Sequence, residues 1–458
     1  MDSVLEGIGE YVHDLRYADL SPEVVGYTKR ILLDSLACMY GGLDSRPAQL
    51  VKDTVDTVGG LPQSTLFSDG SMTSMEQAAT ANGVALRYLD FNDTYFGPAW
   101  TAHASDNLAT LLAVAEAKGV SGQDLLLAIV IAYEVQMSFS DLPVERNLWH
   151  RGWHHSAACA YSAAAGVGKL LGLGPTQIAH AMALSGARAN TFAEIRHGGI
   201  PMDKALSAPL VASRAIFSAL LAQRGFTGQL TILEGKYGFQ HAVAGGTNVR
   251  SLIPSRDRPP KILKDALKPY PVEGMTPAMV QAALAIREEL PVVVDAITRI
   301  TILVHEEAVT KPSWDDSKLI PDSKETADHS FPFCVAVALV AGEVTPEHFT
   351  DEWLWDSQVR RLMQVTELRV DDALTKVFRN GGRPAAVRVD VGEASYFREV
   401  LFPLGSPEDP MQDSDVEAKF LALSRSSLSD EHAQQVIRAT RALQLEGNVS
   451  QYVRLLAR

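Results

Sequence analysis

Apolar residues recur at helical spacing through most of the first half of the chain. Val24, Val25, Tyr27, Ile31, Leu32 and Leu36 form such a series, and Ser21-Pro22 ahead of it supplies an N-cap and a first-turn proline. Ser74 with Gln77 reads as a capping box before Ala79, Val84, Ala85 and Tyr88. Ser105-Asp106 opens a helix carrying Leu108, Leu111, Leu112 and Ala115, and Ser121 with Asp124 opens another over residues 125–137. Further helices are expected at about residues 155–171, 175–184 and 208–224. Apolar helices this rich in small residues pack closely against one another.

The period changes near Leu263. After one more helix, residues 277–290, the run 297–306 alternates Ile, Thr and Val and predicts a strand. Residues 385–391 and 395–402 predict a hairpin around Gly392-Glu393, with helices interleaved at 327–339 and 356–365. Helices return at 415–423 and 430–443. The expected fold is mainly α with an inserted α+β domain: residues 1–263 and 404–458 form a helical domain, and 264–403 the smaller α+β unit.

Composition narrows the classes. Hydrophobic residues make up 46% and charged residues 21% of 458, enough for a large globular core. Cys38, Cys159 and Cys334 lie far apart, so neither a disulfide framework nor a C-x-x-C metal site is expected. The acidic, amphipathic start lacks the charged region and apolar run of a signal peptide. No run is expected to reach the roughly 18 apolar residues of a membrane span, residues 125–133 coming nearest. A cytoplasmic protein without membrane or nucleic-acid partners is expected, the latter because the net charge is −14. An anionic substrate would then need cations concentrated locally.

Several polar groups fall at helix ends. Asp90, Asn92, Asp93 and Thr94 form a dense acidic turn, but a calcium loop would need Gly and Glu where Tyr95 and Thr101 stand. Turn hydrogen bonding is the ordinary use of such residues. His103 precedes a helix, where backbone N–H groups attract anions. His154 and His155 do likewise, and about 100° between neighbours lets at most one face a common site. Arg196, His197 and Lys204 flank another helix start, and Lys268 sits where the pattern changes. Gly166-Val167-Gly168-Lys169 fails as a phosphate loop, because Leu170 follows the lysine; close helix packing explains its glycines. No G-x-S-x-G elbow occurs. Histidines, lysines and an arginine at helix ends suit proton transfer next to carboxylates.

These segments also resemble a known family in their order. Leu-Asp-Phe-Asn-Asp-Thr (89–94), His-Ala-Ser-Asp-Asn (103–107), Gly-Trp-His-His (152–155), Met-Asp-Lys (202–204), Lys-Pro-Tyr-Pro (268–271) and Thr-Ala-Asp-His-Ser-Phe-Pro-Phe (326–333) are similar to motifs of the MmgE/PrpD family. So are Leu-Leu-Ala-Gln-Arg-Gly-Phe-Thr-Gly (220–228), Leu-Glu-Gly-x-x-Gly-Phe (233–239) and Pro-Glu-Asp-Pro-Met (407–411) followed by Lys419-Phe420. The resemblance implies a helical domain from both chain ends with an inserted lid, a homodimer, and no metal or other cofactor. It implies catalytic roles for Asp90, His103, His154, Lys204 and Lys268 and a substrate-binding role for Thr94. Ser105, Arg196, His197 and His329 join Thr94 as substrate-binding candidates.

Among members of the family, Ser105-Asp106-Asn107, Arg196-His197 and Ala327-Asp328-His329-Ser330 resemble the 2-methylcitrate dehydratase branch. Pro271-x-Glu273 does too, whereas Met275 and Pro277 stand where that branch has His and Gln. The two cysteines and histidine of the decarboxylase pattern are replaced by Val272, Glu273 and Thr276. The expected activity is metal-independent dehydration of a 2-hydroxy polycarboxylate, with one of His103 and His154 taking the proton and the other, or His329, protonating the leaving hydroxyl. Decarboxylation of cis-aconitate, epimerisation of an amino-dicarboxylate and a non-catalytic anion-binding scaffold are the alternatives.

Overall fold

The computed structural model describes residues 3–290, 294–310 and 314–458. The helix starts follow their caps. Ser21 caps Pro22–Gly42 through its side chain, and Ser121 and Asp124 form a reciprocal box at the head of Gly122–Ser140. Ser74 also caps Met75–Tyr88, but the Gln77 amide oxygen bonds the Thr73 hydroxyl instead of closing the expected box. Pro22–Gly42 crosses Met75–Tyr88 at Gly42, where a Cβ would lie 2.0 Å from the Ala85 carbonyl. Only glycine permits that approach.

Two differences from the sequence expectation matter for the site. The helix expected at 208–224 begins earlier, as Asp203–Gln223, and continues through Pro209. Lys204 therefore sits in its first turn rather than in a loop. This helix is also long and apolar enough to cross a membrane by length and composition, although just over half of it is buried against the other helices. Second, the helix expected from Ser105 begins as a 3-10 turn, Ala104–Asn107, and becomes α-helical at Leu108–Lys118.

The protein is mainly α-helical with a small α+β part. In the latter, four strands run in the order Thr366–Val370, Ile297–Val304, Ala385–Val391, Ala394–Val400. The first pair is parallel and the other two are antiparallel. Val391 pairs with Ala394, leaving Gly392-Glu393 as a two-residue turn with Gly392 at φ 59°. Buried apolar side chains gather in two large clusters. One joins residues 4–267 to residues 411–456; the other spans residues 272–389. Tyr40 donates its hydroxyl hydrogen to the Leu456 carbonyl at 2.8 Å, so the two ends of the chain share one core. Thr94 and Ala266 bridge through paired backbone hydrogen bonds of 2.7 and 3.0 Å, bringing the acidic turn beside the start of the α+β part.

Candidate active site

Asp90 follows helix Met75–Tyr88 with φ 51°, the one positive φ outside glycine among the described residues. A left-handed backbone costs an L-residue about 1–2 kcal/mol, so its surroundings must impose it. Three cations do so. Arg87 Nη1 lies 2.8 Å from Oδ1, Lys204 Nζ 3.3 Å from Oδ2, and Lys268 Nζ 3.1 Å from Oδ1 and 2.7 Å from the Asp90 carbonyl. Burial pushes this carboxyl's pKa up, but Lys204, Lys268 and Arg87 together hold it well below the usual range.

Lys204 also donates to both oxygens of Asp328 at 2.9 Å. Burial lowers its pKa to about 8 against the pull of Asp328 and Asp90. Asp90, Asp328 and His329 offer donor atoms within 4.8 Å of one another, a spacing that would suit a metal. The Lys204 ammonium already lies between the two carboxylates and supplies positive charge there.

The histidines differ in tautomer, as their partners require. His329 Nδ1 donates to Asp328, leaving Nε2 as a lone pair 3.5 Å from Arg196 Nη1 and 3.7 Å from Asp90 Oδ2. Burial and Lys204 lower its pKa to about 4 despite Asp328. His103 Nδ1 donates to the Asp93 carbonyl at 2.6 Å, so its Nε2 is also a lone pair. His154 Nδ1 accepts from the Ser156 amide at 3.2 Å, which leaves the proton on Nε2. Burial, with Arg87 or Arg196 or both nearby, holds His103, His154 and His155 well below the usual imidazole value.

These groups surround a cavity of about 240 Å³ lined by Asp90, His103, Trp149, His155, Arg196 and His329, with Glu145, Glu273 and Glu307 also on its wall. His155 lines it; His154 lies against His155 with ring centroids 4.1 Å apart and is not on the wall. Lys204 and Lys268 back the wall through Asp90. Thr94 is buried behind it, its methyl against cavity-lining Gly274, and its hydroxyl makes no hydrogen bond. Ser105 is fully engaged elsewhere: its hydroxyl donates to Asp93 Oδ1 at 2.6 Å and accepts from Asn92 at 2.8 Å. His197 is half exposed beside Asp315 at 3.8 Å, outside the cavity. Arg196 is fixed by a loop whose Gly198 amide donates to Asp315 at 2.9 Å, and burial lowers its pKa to about 10.

Sequence reasoning passed over Arg87, set His154 ahead of His155, and gave Asp106 and Asp328 no role beyond their place in motifs. Arg87 reads as a charge in a last helical turn, yet its guanidinium is wholly buried, 3.5 Å from Asp106. Its spacing three residues before Asp90 was the available signal. Asp106 lies 3.7 Å from His155 Nε2, and burial raises its pKa to about 6 despite Arg87.

Fold and cavity together define a mainly helical protein with a buried site of cations, carboxylates and neutral imidazoles. The MmgE/PrpD N-terminal domain matches residues 6–252 and the MmgE/PrpD C-terminal domain residues 270–445, so the chain belongs to that family. It is 26% identical to 2-methylcitrate dehydratase, mitochondrial, of Yarrowia lipolytica over 88% of this chain and 80% of that protein. It is 26% identical to cis-aconitate decarboxylase of Homo sapiens, covering 97% and 92%, and 27% identical to 2-methylcitrate dehydratase of Cupriavidus necator, covering 88% and 86%.

Proposed function

We propose that this protein is a lyase that dehydrates a 2-hydroxy polycarboxylate such as 2-methylcitrate to an aconitate-type alkene, without a metal. The carrying observation is the cavity bounded by Arg196, His103, His155 and His329 and backed by Lys204 and Lys268. Removing a proton beside a carboxylate builds negative charge on that carboxylate. Arg196 would meet it directly, with Nε and Nη2 buried and making no hydrogen bond to the protein.

His329 is the favoured base. His329 lines the cavity, its Nε2 lone pair accepts only a long 3.5 Å hydrogen bond from Arg196, and Asp328 orients the ring, an arrangement that also stabilises the imidazolium once the proton arrives. The electrons of the broken C–H bond form the alkene as the C–O bond breaks, and the hydroxyl leaves as water after protonation. His155 or His103 would give that proton. Both are neutral in the free protein, and a bound polyanion raises their pKa by offsetting Arg87 and Arg196. Lys204, placed between Asp90 and Asp328, supports the metal-free reading. Residues 264–403 act in this reading as a lid, and the exposed Leu210 and Phe217 on helix Asp203–Gln223 form part of a homodimer face.

Incubation with racemic 2-methylcitrate, followed by NMR with and without EDTA, tests the proposal. Alkene formation unaffected by EDTA is expected. No turnover, or turnover lost to the chelator and restored by metal, defeats it. Decarboxylation of cis-aconitate is the second reading, favoured by the human relative's equal identity and fuller coverage. The same cations would stabilise the carbanion left by carbon dioxide, and the two products are distinct by NMR.

A further inference from the structure

The late segment of the chain holds a buried lysine, two of whose three acceptors are backbone carbonyls of the segments that carry Asp90 and Lys268. Lys419 lies on helix Asp413–Ser424. Its ammonium donates to Asp34 Oδ1 at 2.7 Å, to the Phe91 carbonyl at 2.7 Å and to the Lys268 carbonyl at 3.1 Å. Those acceptors use all three of its N–H donors. The ammonium also sits 3.8 Å from the centroid of the Phe91 ring.

The two carbonyls are informative. Phe91 follows Asp90, and Lys268 is the residue whose own ammonium grips Asp90. Consecutive carbonyls at 90 and 91 are thus each held by a lysine, while Arg87 Nη1 holds the side chains of Asp90 and Asn92 at 2.8 and 2.9 Å. A left-handed Asp90 persists only where neighbouring contacts over-determine it. An ordinary buried ion pair would need Asp34 alone; here the same cation also ties together the two backbone segments that carry the Asp90–Lys268 pair.

We infer that Lys419 is a positioning residue: by bridging the Phe91 and Lys268 carbonyls it sets the register of Asp90 against Lys268, so helix Asp413–Ser424 is part of the catalytic apparatus. This rests on the lyase reading for its kinetic consequence but not for its structural one. Lysine rather than arginine suits the role, because three acceptors arranged around one nitrogen match a tetrahedral ammonium and not a planar fork.

The test compares Lys419→Met and Lys419→Arg with the parent. Lys419→Arg keeps the charge opposite Asp34 and serves where Lys419→Met does not fold. Hydrogen exchange, read without substrate, is expected to accelerate about tenfold or more at residues 90–94 while the melting transition stays cooperative. On whichever acid the parent converts, kcat is expected to fall roughly 10- to 100-fold with KM within about threefold, the mark of misplacement rather than lost binding. Unchanged exchange at residues 90–94 overturns the inference, as does a Lys419→Arg enzyme that matches the parent or one whose KM rises at constant kcat. A parent inactive on every acid defeats the lyase reading, and exchange at residues 90–94 then decides the role of Lys419 by itself.

Discussion

Two polar clusters lie side by side on the segment from Arg87 to Asn107, and they are built on opposite plans. In one, Asp93 accepts from the Ser105 amide and hydroxyl and from the Tyr133 hydroxyl at 2.6–3.0 Å, while Asn107, Gln136 and Ser162 close a second ring of bonds. In the other, Arg87 Nε and Nη2, both oxygens of Asp106, both ring nitrogens of His155, and Arg196 Nε and Nη2 are buried without a hydrogen bond. An unsatisfied buried group costs about 1–3 kcal/mol, and the two clusters meet at the 3-10 turn Ala104–Asn107, which carries Ser105 and Asn107 of the first and Asp106 of the second. The first cluster spends its polar groups on holding the fold. The second leaves polar atoms of His155 and Arg196 uncommitted on the cavity wall, where the polyanion of the proposed reaction would engage them, while Arg87 and Asp106 face each other behind it.

The comparison breaks most sharply at Arg196. Replacing it with Met should lower kcat/KM by roughly 10²–10³-fold while the melting temperature holds or rises, as is usual when active-site strain is removed; a fall in melting temperature with turnover kept would reverse the assignment of the two clusters. Of comparable size, kcat/KM should plateau between two limbs. The acid limb lies near pH 4, where His329 takes a proton and stops being a base. The alkaline limb lies near pH 8, where Lys204 gives up the charge that stabilises the carboxylate beside it. A His329→Asn enzyme should lose the acid limb together with about 10²–10⁴-fold of its rate, and a limb that survives would move the base elsewhere.

Ser105→Ala probes the satisfied cluster. It should lower stability by about 1–3 kcal/mol in denaturant titration by leaving Asp93 short of donors, and turnover should stay within a few-fold of the parent. A larger kinetic loss would return Ser105 to the substrate. The smallest effect is proton uptake. Binding of a tricarboxylate near pH 6 should draw in about one proton, seen as a buffer-dependent heat, because the anion raises imidazole pKa values that burial and arginines had lowered. Heats identical in phosphate and Tris would show that the histidines stay neutral.

Local chemistry carried much of the fold. Ser21-Pro22, Ser121 with Asp124 and Gly392-Glu393 each specify a helix start or a turn by themselves, and each occurs as expected. Strand Thr366–Val370 was missed because its partner, Ile297–Val304, lies far away in sequence and pairs in parallel. Its alternation, Glu367 and Arg369 against Leu368 and Val370, lasts only five residues, and none of the five is fully buried. In the site, the resemblance led to Asp90, Lys204 and Lys268, which meet. It did not lead to Arg87, whose role depends on a helix ending in a left-handed turn, and it pointed to His154, whereas His155 is the one that lines the cavity. That choice is made by rotation about the start of helix Ser156–Leu170, where Ser156 binds one ring and leaves the other toward the cavity.

The shared core of the two chain ends has a consequence for the order of synthesis. Helix Pro22–Gly42 emerges from the ribosome long before residues 411–456, yet it is against those residues that Tyr40 and Asp34 find their partners. Until they arrive, the newly made helical part exposes apolar surface and a buried-type carboxylate without its lysine. The interval covers translation of the whole α+β part, and a chain ending before residue 411 is expected to keep that surface exposed and to aggregate rather than fold as a smaller enzyme.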